Sequence, residues 1–352
     1  MISTVDSFFA LNRLLLGFAL FVLLHLGIAE KAAAQEASLE EAKHLYRVAN
    51  YEDAGVVLNQ VIDDERLNIE IRQEAYKFLA RSYIAQGQKD RVRQVIKNLI
   101  ATEPPTVEMD PNVEPPVVME IYYRARKEQR GDYRAHAKGS SQTLAVMDFT
   151  NNSIFRPDDY RGLQQGLSSV MINHLADGTD LRVIERERIG WLLNELELQQ
   201  DEAMVNQSTA VETGELLGAR AVIFGSFIAM KDDIQITARM VDVETGEIIV
   251  GNHVEGRIDR LFDLTNQLSR KLTASIGIEM ATAEASQTQT RSIEAMMEYS
   301  EGLQLLEFGQ YQEAEKRFRN ALEYDEYYSQ AQQKMESIQP VISALRDGHR
   351  FE

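Results

Sequence analysis

The chain has 352 residues, of which 44% are hydrophobic and 26% charged, values ordinary for a globular protein of two or three domains. Its formal net charge of −18 argues against general nucleic-acid binding, because a phosphate backbone would be repelled. The absence of cysteine excludes disulfides, thiolate metal sites, cysteine nucleophiles and a lipid-modified amino-terminal cysteine.

The amino terminus has the pattern of a secretory signal peptide. Arg13 precedes an apolar run from Leu14 to Ile28, and a small-residue A-x-A site follows at Ala32 to Ala34. The run is short for a membrane-spanning helix of ~20 residues. We therefore expect residues 1–34 to be cleaved and the protein to be periplasmic, where peripheral association with the outer membrane is compatible with the sequence. A retained membrane anchor and extracellular release are the alternatives.

Residues 35–103 show helical apolar spacing without a strand pattern. The stretch FLARSYIAQGQKDRVRQVIKNLIATEP resembles a tetratricopeptide repeat, with Ala80, Tyr83 and Gly87 at signature positions. The preceding stretch LYRVANYEDAGVVLNQVI resembles the repeat more weakly. A generic helical bundle is the alternative. Both interpretations predict a binding or scaffolding module, because such repeats offer a concave surface and no chemistry.

Residues 104–141 join this helical part to the next domain. Prolines concentrated between residues 104 and 116 exclude a long helix there, and a helix resumes from Val117 to Arg130. This helix carries a basic-aromatic stretch of a kind that can contact nucleic acid, anionic lipid or a protein partner. A solvated helix face is the simpler interpretation. The candidate contact residues are Tyr122, Tyr123 and Arg126.

Residues 142–280 alternate strand and helix patterns in the order β-α-β-α-α-β-β-β-α. The stretch from Ile234 to Asp242 alternates apolar and polar residues, which is typical of a half-buried strand. Short turns on both sides of it predict an antiparallel meander. We therefore predict an α/β (α+β) fold, in which a central mixed sheet packs against helices and all-helical modules flank it at both ends.

Four stretches of this domain resemble the CsgG-like family, in the family's order: TLAVMDFTN, LRVIERERIGWLLNELELQ, TGELLGARAVIFGS and ARMVDVETGEII. In that family, CsgG is a lipoprotein that forms a ring-shaped outer-membrane secretion channel, and each subunit gives two long β-hairpins to a barrel. Here the turn at Lys231 and the segment from Val250 to Arg260 leave no room for hairpins whose strands need about 9–11 residues each. The resemblance therefore implies the periplasmic domain, a homo-oligomer, and no transmembrane barrel of its own.

In the CsgG-like family, the loop after the first strand narrows the channel. Asn151, Asn152 and Phe155 occupy that loop here and are therefore candidate partner contacts, with an ordinary exposed loop as the alternative. The pair Glu185 and Arg186 precedes an apolar helix. We interpret this pair as a structural ion pair near the end of the sheet and not as acid–base machinery.

A polar linker of residues 281–292 leads to the clearest repeat of the chain, in residues 293–352. A further helix, about Ser329 to Arg346, can cap its apolar face. A single repeat with a cap rarely stands alone, so we expect it to pack on the central domain or on a neighbouring subunit. The residues at tetratricopeptide signature positions are Gly302, Gly309, Tyr311, Ala314, Phe318 and Ala321.

The sequence offers no catalytic or cofactor motif. The six histidines lack metal-ligand spacing, and neither a P-loop nor a G-x-S-x-G elbow occurs. We therefore expect no enzyme, no cofactor, no metal and no nucleic-acid partner. The first hypothesis is a cell-envelope scaffold or accessory subunit whose helical modules recruit protein partners. The second is a ring-forming subunit of a curli-type outer-membrane secretion apparatus.

Overall fold

The computed structural model describes residues 37–102, 109–133, 143–195, 206–281 and 290–351. The predicted signal peptide lies outside the described residues. The chain divides into two units, which consist of residues 37–102 with 349–351 and of residues 109–348 where these are described. The boundaries of the segments predicted from the sequence stay predictions. None of the helices in the described ranges is long and apolar enough to span a bilayer.

The first unit is helical, as its sequence predicts. Asn50 and Asn68 cap the second and third helices by accepting hydrogen bonds from the backbone N–H groups of Asp53 and Glu70. Successive helices pack on one another through buried apolar faces. The helices are α1 (37–47), α2 (Tyr51–Asp63), α3 (Ile69–Ala85) and α4 (Lys89–Ile100).

The residues assigned to the first repeat pattern lie at the contacts between these helices. Ala80 is fully buried, and the Tyr83 hydroxyl accepts a hydrogen bond of 3.2 Å from the Asn59 amide. Gly87 follows α3 with a φ of +68°, a backbone conformation that glycine adopts without strain. Any helical hairpin of this length can use residues in this way, so the tetratricopeptide assignment stays a prediction.

The second unit contains the mixed sheet predicted from the sequence. Its strands are ordered β3-β1-β4-β5-β6, and β2 pairs with β4. β1 pairs in parallel with β3 and with β4, whereas β4, β5 and β6 form the predicted antiparallel meander. The strands are β1 (Thr143–Val146), β2 (Thr150–Asn151), β3 (Arg182–Val183), β4 (Ala221–Met230), β5 (Asp233–Asp242) and β6 (Ile248–Arg257).

Helices cover both faces of this sheet, so the α/β fold class is confirmed. α6 and α9 pack on one face, while α7 and α8 pack on the other. The apolar face predicted for β5 meets α6 and α9, and its members are at most 2% exposed: Ile234, Ile236, Ala238 and Met240. The helices of this unit up to this point are α5 (Pro116–Arg130), α6 (Leu163–Gly178), α7 (Arg186–Glu195), α8 (Gln207–Leu217) and α9 (Leu261–Ala274).

The carboxyl-terminal helices pack on the central domain. Met296 of α10 is 2% exposed and belongs to the same core as the α6 face of the sheet. Gly162 and Gly166 allow this approach, since a Cβ at Gly162 would lie 2.8 Å from the Met297 carbonyl oxygen. The helices are α10 (Ile293–Glu307), α11 (Tyr311–Tyr324), α12 (Ser329–Ser337) and α13 (Gln339–Arg346).

The residues of the second repeat pattern lie between α10 and α11 or in their turn. A Cβ at Gly302 would lie 2.5 Å from the Phe318 ring, so a larger residue would separate the two helices. Gly309 has a φ of +68° in the turn. The single helix predicted from Ser329 to Arg346 is instead two helices that meet at Ile338. The buried members of the pattern are Tyr311, Ala314, Phe318 and Ala321.

Gly225 lies where β4 passes both a core ring and the neighbouring strand. A Cβ there would lie 2.3 Å from the Thr237 carbonyl oxygen and 2.6 Å from the Phe149 ring. Gly225→Ala should therefore lower the free energy of unfolding by about 1–3 kcal/mol in a urea titration. Gly251→Ala on β6 is the control, since its Cβ would come no closer than 3.5 Å to Arg239. Equal losses in the two variants would contradict the steric argument.

His174 on α6 makes stability depend on pH. Burial, and then the charge of Arg270, lower the pKa of His174 to about 4. Its Nδ1 is buried without a hydrogen-bond partner among the described residues. The unfolded chain therefore binds the proton more readily, so stability should fall by up to ~3 kcal/mol as the pH drops from about 6.5 to about 4.

Urea titrations at about pH 7 and about pH 4.5 test this dependence. His174→Gln should reduce the difference between the two pH values, because the proton-binding group is gone. His253→Gln replaces an exposed histidine on β6 and should leave that difference unchanged. A His174→Gln variant with the same pH dependence as the parent protein would contradict the prediction.

Candidate functional site

The ends of two parallel strands bring charged residues together at one edge of the sheet. β1 and β3 run side by side, so the residues that follow them meet beyond their carboxyl ends. Asp148 follows β1, and Arg186 opens α7 just after β3. In open α/β sheets this edge is where ligands commonly bind. The residues at this edge of the sheet therefore decide whether a ligand-binding cleft is open there.

A charged cluster around one buried arginine, here called the Arg186 cluster, occupies this edge. Arg186 Nε and Nη2 donate to the two carboxylate oxygens of Asp148 over 3.0 and 2.9 Å. Nη2 also donates to Glu307 Oε1 over 2.7 Å. The Ser168 hydroxyl donates to Asp148 Oδ1 over 2.7 Å. Because Glu307 ends α10, the cluster ties the carboxyl-terminal helices to the sheet.

The Arg186 guanidinium is charged and almost inaccessible. Its side chain is 8% exposed. Burial would lower the pKa of Arg186, but the carboxylates of Asp148 and Glu307 more than offset that effect and raise the pKa above its ordinary value. The predicted structural role of Arg186 agrees with this geometry. The predicted partner, Glu185, is corrected, since the carboxylates that bind Arg186 come from two other elements.

The next residue of α7, Glu187, forms an ion pair with the buried Lys334, here called the Lys334 cluster. Lys334 on α12 is 1% exposed, and its Nζ donates to the Pro111 carbonyl over 2.6 Å and to Glu187 Oε1 over 3.1 Å. Burial would raise the pKa of Glu187, but Lys334 and then Arg186 reverse this effect and lower it. Two consecutive residues of α7 thus hold two separate carboxyl-terminal helices.

The predicted contact loop lies after β1 and presents two apolar side chains to solvent. Ile154 is 86% exposed and Phe155 is 74% exposed. We call this pair the apolar tip. Asn151 fixes the loop, since its Oδ1 accepts from the Ser153 N–H over 3.0 Å and its Nδ2 donates to the Pro157 carbonyl over 2.9 Å. Asn152 is exposed, and its N–H donates to the Phe227 carbonyl over 2.8 Å.

The other predicted contact residues do not join this loop. The solvated face expected for α5 is wrong, because Tyr122 and Tyr123 are 3% exposed and Arg126 is 6% exposed. The Arg126 guanidinium lies 5.5 Å from the centroid of the Tyr122 ring, and Nη1 donates to the Tyr122 hydroxyl over 2.7 Å. The Tyr123 ring packs 5.4 Å from Trp191 of α7. Cation–π contacts and ring packing let this basic-aromatic stretch be buried.

Several residues at these sites were not singled out in the sequence. Ile154 stands beside the predicted Phe155, and its apolar character in a polar loop was the available signal. Asp148 ends a recognisable strand, but an acidic residue there is common. Glu307 and Lys334 lie 121 and 147 positions from the α7 residues they bind, so no local pattern connects them. Within the described ranges, no group of histidine and acidic side chains is placed to hold a metal ion.

Comparison with known proteins agrees with the resemblance read from the central domain. Residues 132–232 match the family described as curli production assembly/transport component CsgG. This match supports a CsgG-like domain. The matched residues include the apolar tip and α7 with Arg186, and they end at the turn between β4 and β5. No curated protein matches the chain significantly.

Three solved structures are similar to part of the chain. The LpoB C-terminal domain from Salmonella enterica is 17% identical, covering 34% of this chain and 87% of that one with a TM-score of 0.24. The LpoB C-terminal domain from Escherichia coli is 17% identical, with the same coverage and a TM-score of 0.26. The PelC dodecamer from Paraburkholderia phytofirmans is 14% identical, covering 42% and 94% with a TM-score of 0.25.

Proposed function

We propose that this protein is a non-enzymatic accessory or scaffold subunit of the cell envelope that acts in outer-membrane assembly or secretion. The observation that carries the proposal is the match of residues 132–232 to the CsgG family. In the proposal, the CsgG-like domain docks on an envelope assembly. The helical segments at both ends recruit protein partners. The protein reaches the periplasm through its predicted signal peptide.

The geometry at the sheet edge supports a binding role over a catalytic one. The Arg186 cluster fills the place where an α/β enzyme would hold its ligand, and α10 covers it. The cation of the cluster, Arg186, is already bound by two carboxylates among the described residues. It therefore does not offer a site for a substrate anion. The exposed groups of the same domain include the apolar tip, where two large apolar side chains are adjacent, and adjacent exposed apolar side chains suit an interaction surface.

Cross-linking in intact cells tests the proposed function. The full-length chain, carrying a photoreactive residue at the exposed Gln235 of β5, should form adducts with periplasmic or outer-membrane proteins. Mass spectrometry of the adducts identifies them, and cell fractionation locates the uncross-linked chain. Adducts confined to cytoplasmic proteins, with the chain in the cytoplasmic fraction, would contradict an envelope role.

The ring-forming secretion subunit is the second candidate, favoured by the match to a family of curli assembly and transport components. It requires self-assembly, which closed cyclic symmetry would limit to a defined ring. Light scattering of the mature protein without detergent separates the two. A stable ring of about eight or more subunits supports the second candidate. A monomer or dimer contradicts ring formation as a property of this chain alone.

A further inference from the structure

Two more exposed apolar side chains lie at the end of β4, next to the loop. Ile228 is 37% exposed and Met230 is 62% exposed. The loop that carries the apolar tip runs beside this end, since the Ala229 N–H donates to the Ser153 hydroxyl over 2.9 Å. Alternate residues of a strand point to opposite faces, so Ile228 and Met230 share one face. We call Ile154, Phe155, Ile228 and Met230 the docking surface.

The docking surface is held in place before any partner arrives. The side chain of Asn151 bonds both sides of the loop, and Asn152 and Ser153 join it to β4. A loop fixed in this way loses little conformational entropy on binding. Two adjacent large apolar side chains, each more than 70% exposed on such a loop, carry a cost in water that a partner would remove.

The charges around the docking surface define what fits it. Arg156 pairs with Asp159 over 2.8 Å, and Arg161 pairs with Asp158 over 2.5 Å, so these four charges cancel. The turn between β4 and β5 adds Lys231 and two exposed carboxylates, Asp232 and Asp233. None of these three forms an ion pair with the described residues. Arg257, opposite Asp233 on β6, also attracts both carboxylates, but it is paired with Asp259 over 2.9 Å, so that pair adds no net charge. The rim therefore carries an excess of one negative charge.

This charge balance separates three occupants. An anionic lipid headgroup is attracted by unpaired lysine and arginine, and the rim offers one lysine against two carboxylates. A second copy of the chain, docked through the same surface, would bring equal acidic rims together, and each copy carries a formal net charge of −18. A protein segment with a basic residue beside an apolar one complements both the surface and its rim.

We propose that the docking surface binds a protein segment that presents an aliphatic or aromatic side chain next to lysine or arginine. The inference rests on the proposed function, because it specifies the chemistry of the partner that an envelope accessory protein would dock on. The apolar side chain packs against Ile154, Phe155 and Met230. The basic residue lies against Asp232 and Asp233.

Titration calorimetry with two synthetic peptides tests this partner chemistry. One short peptide alternates lysine with leucine, and the other alternates glutamate with leucine. The mature full-length chain should bind the basic peptide and not the acidic one. The double variant Ile154→Ser, Phe155→Ser should weaken binding of the basic peptide about tenfold or more. Asp232→Asn, Asp233→Asn should weaken it about threefold.

Matched variants separate this surface from general attraction of a basic peptide to an acidic protein. Phe308→Ser replaces a side chain that is 65% exposed in the turn after α10, far along the sequence. Asp177→Asn, Asp180→Asn removes two exposed carboxylates at the end of α6, so it changes the net charge equally. Both should leave binding unchanged. Equal losses in these controls would overturn the proposal.

Two further measurements decide between occupants. Co-sedimentation with phosphatidylethanolamine–phosphatidylglycerol vesicles that disappears in the Ile154→Ser, Phe155→Ser variant would overturn the proposal in favour of a lipid surface. Self-association that disappears in the same variant would overturn it in favour of a second copy. If peptide binding fails while cross-links to envelope proteins persist, the inference falls and the proposed function stands. If the peptide binds as expected but the cross-links reach only cytoplasmic proteins, the inference stands and the proposed function falls.

Discussion

Arg186→Met should lower the free energy of unfolding of the second unit by about 1–3 kcal/mol, because it removes the charged hydrogen bonds of a buried cation to two partly exposed carboxylates. Methionine retains much of the side-chain volume but donates no hydrogen bond. It would leave the carboxylates of Asp148 and Glu307, whose side chains are 35% and 25% exposed, without their shared cation. The Ser168 hydroxyl would still donate to Asp148, but one neutral donor cannot replace the charged guanidinium that binds both carboxylates.

Urea unfolding followed by tryptophan fluorescence measures this loss. Trp191 is the one tryptophan of the chain and packs against Tyr123 and Tyr133, so its emission reports on the second unit. Arg182→Met on β3 is the control, because Arg182 is exposed and forms no ion pair within the described ranges. It should change stability by less than about 0.5 kcal/mol. A similar loss in both variants would show that the cluster contributes no more than a surface arginine.

The central sheet was accessible from sequence because its signals are local. The alternation from Ile234 to Met240 follows directly from one buried and one open face, and the short turns at Lys231 and Gly246 dictate antiparallel neighbours. The exposed loop containing Phe155 was also predictable, from polar residues after a strand. β2 was missed, since a two-residue strand carries no period.

The contacts that organise the candidate site are not local, and sequence patterns could not supply them. The basic residues of α5 suggested solvent, yet Arg126 is buried beside the Tyr122 ring and donates to its hydroxyl. Arg186 was recognised, but its partner was sought in the neighbouring Glu185. The choice between Glu185 and Glu307 depends on where α10 packs, and that depends on Gly162 admitting the α10 backbone. Such a choice is made by tertiary packing and not by spacing.

Glu187→Gln should also lower the free energy of unfolding by about 3–5 kcal/mol, and by more than Lys334→Met does. The Lys334 side chain is 2% exposed, whereas that of Glu187 is 27% exposed. Glu187→Gln leaves a buried ammonium with no opposite charge beside it from α7, because the amide oxygen of glutamine accepts a hydrogen bond but is neutral. Lys334→Met leaves a carboxylate that water can reach and that Arg186 still attracts, so a loss of about 1–3 kcal/mol is expected there.

The double variant Glu187→Gln, Lys334→Met shows how much of the lost free energy of unfolding comes from leaving one charge unpaired and how much from losing the ion pair itself. Because no ammonium remains in the interior, the double variant should be more stable than Glu187→Gln alone.

Urea titrations of the three variants rank their free energies of unfolding. Glu326→Gln, which changes an exposed acidic residue near α12, is the control. Losses that simply add in the double variant would mean that Glu187 and Lys334 act independently. That result would remove the Lys334 cluster as the link between Pro111, α7 and α12. The asymmetric order would instead show that α7 holds the carboxyl-terminal helices through charge. A CsgG-like domain would then fold as one body with helices that its family match does not include.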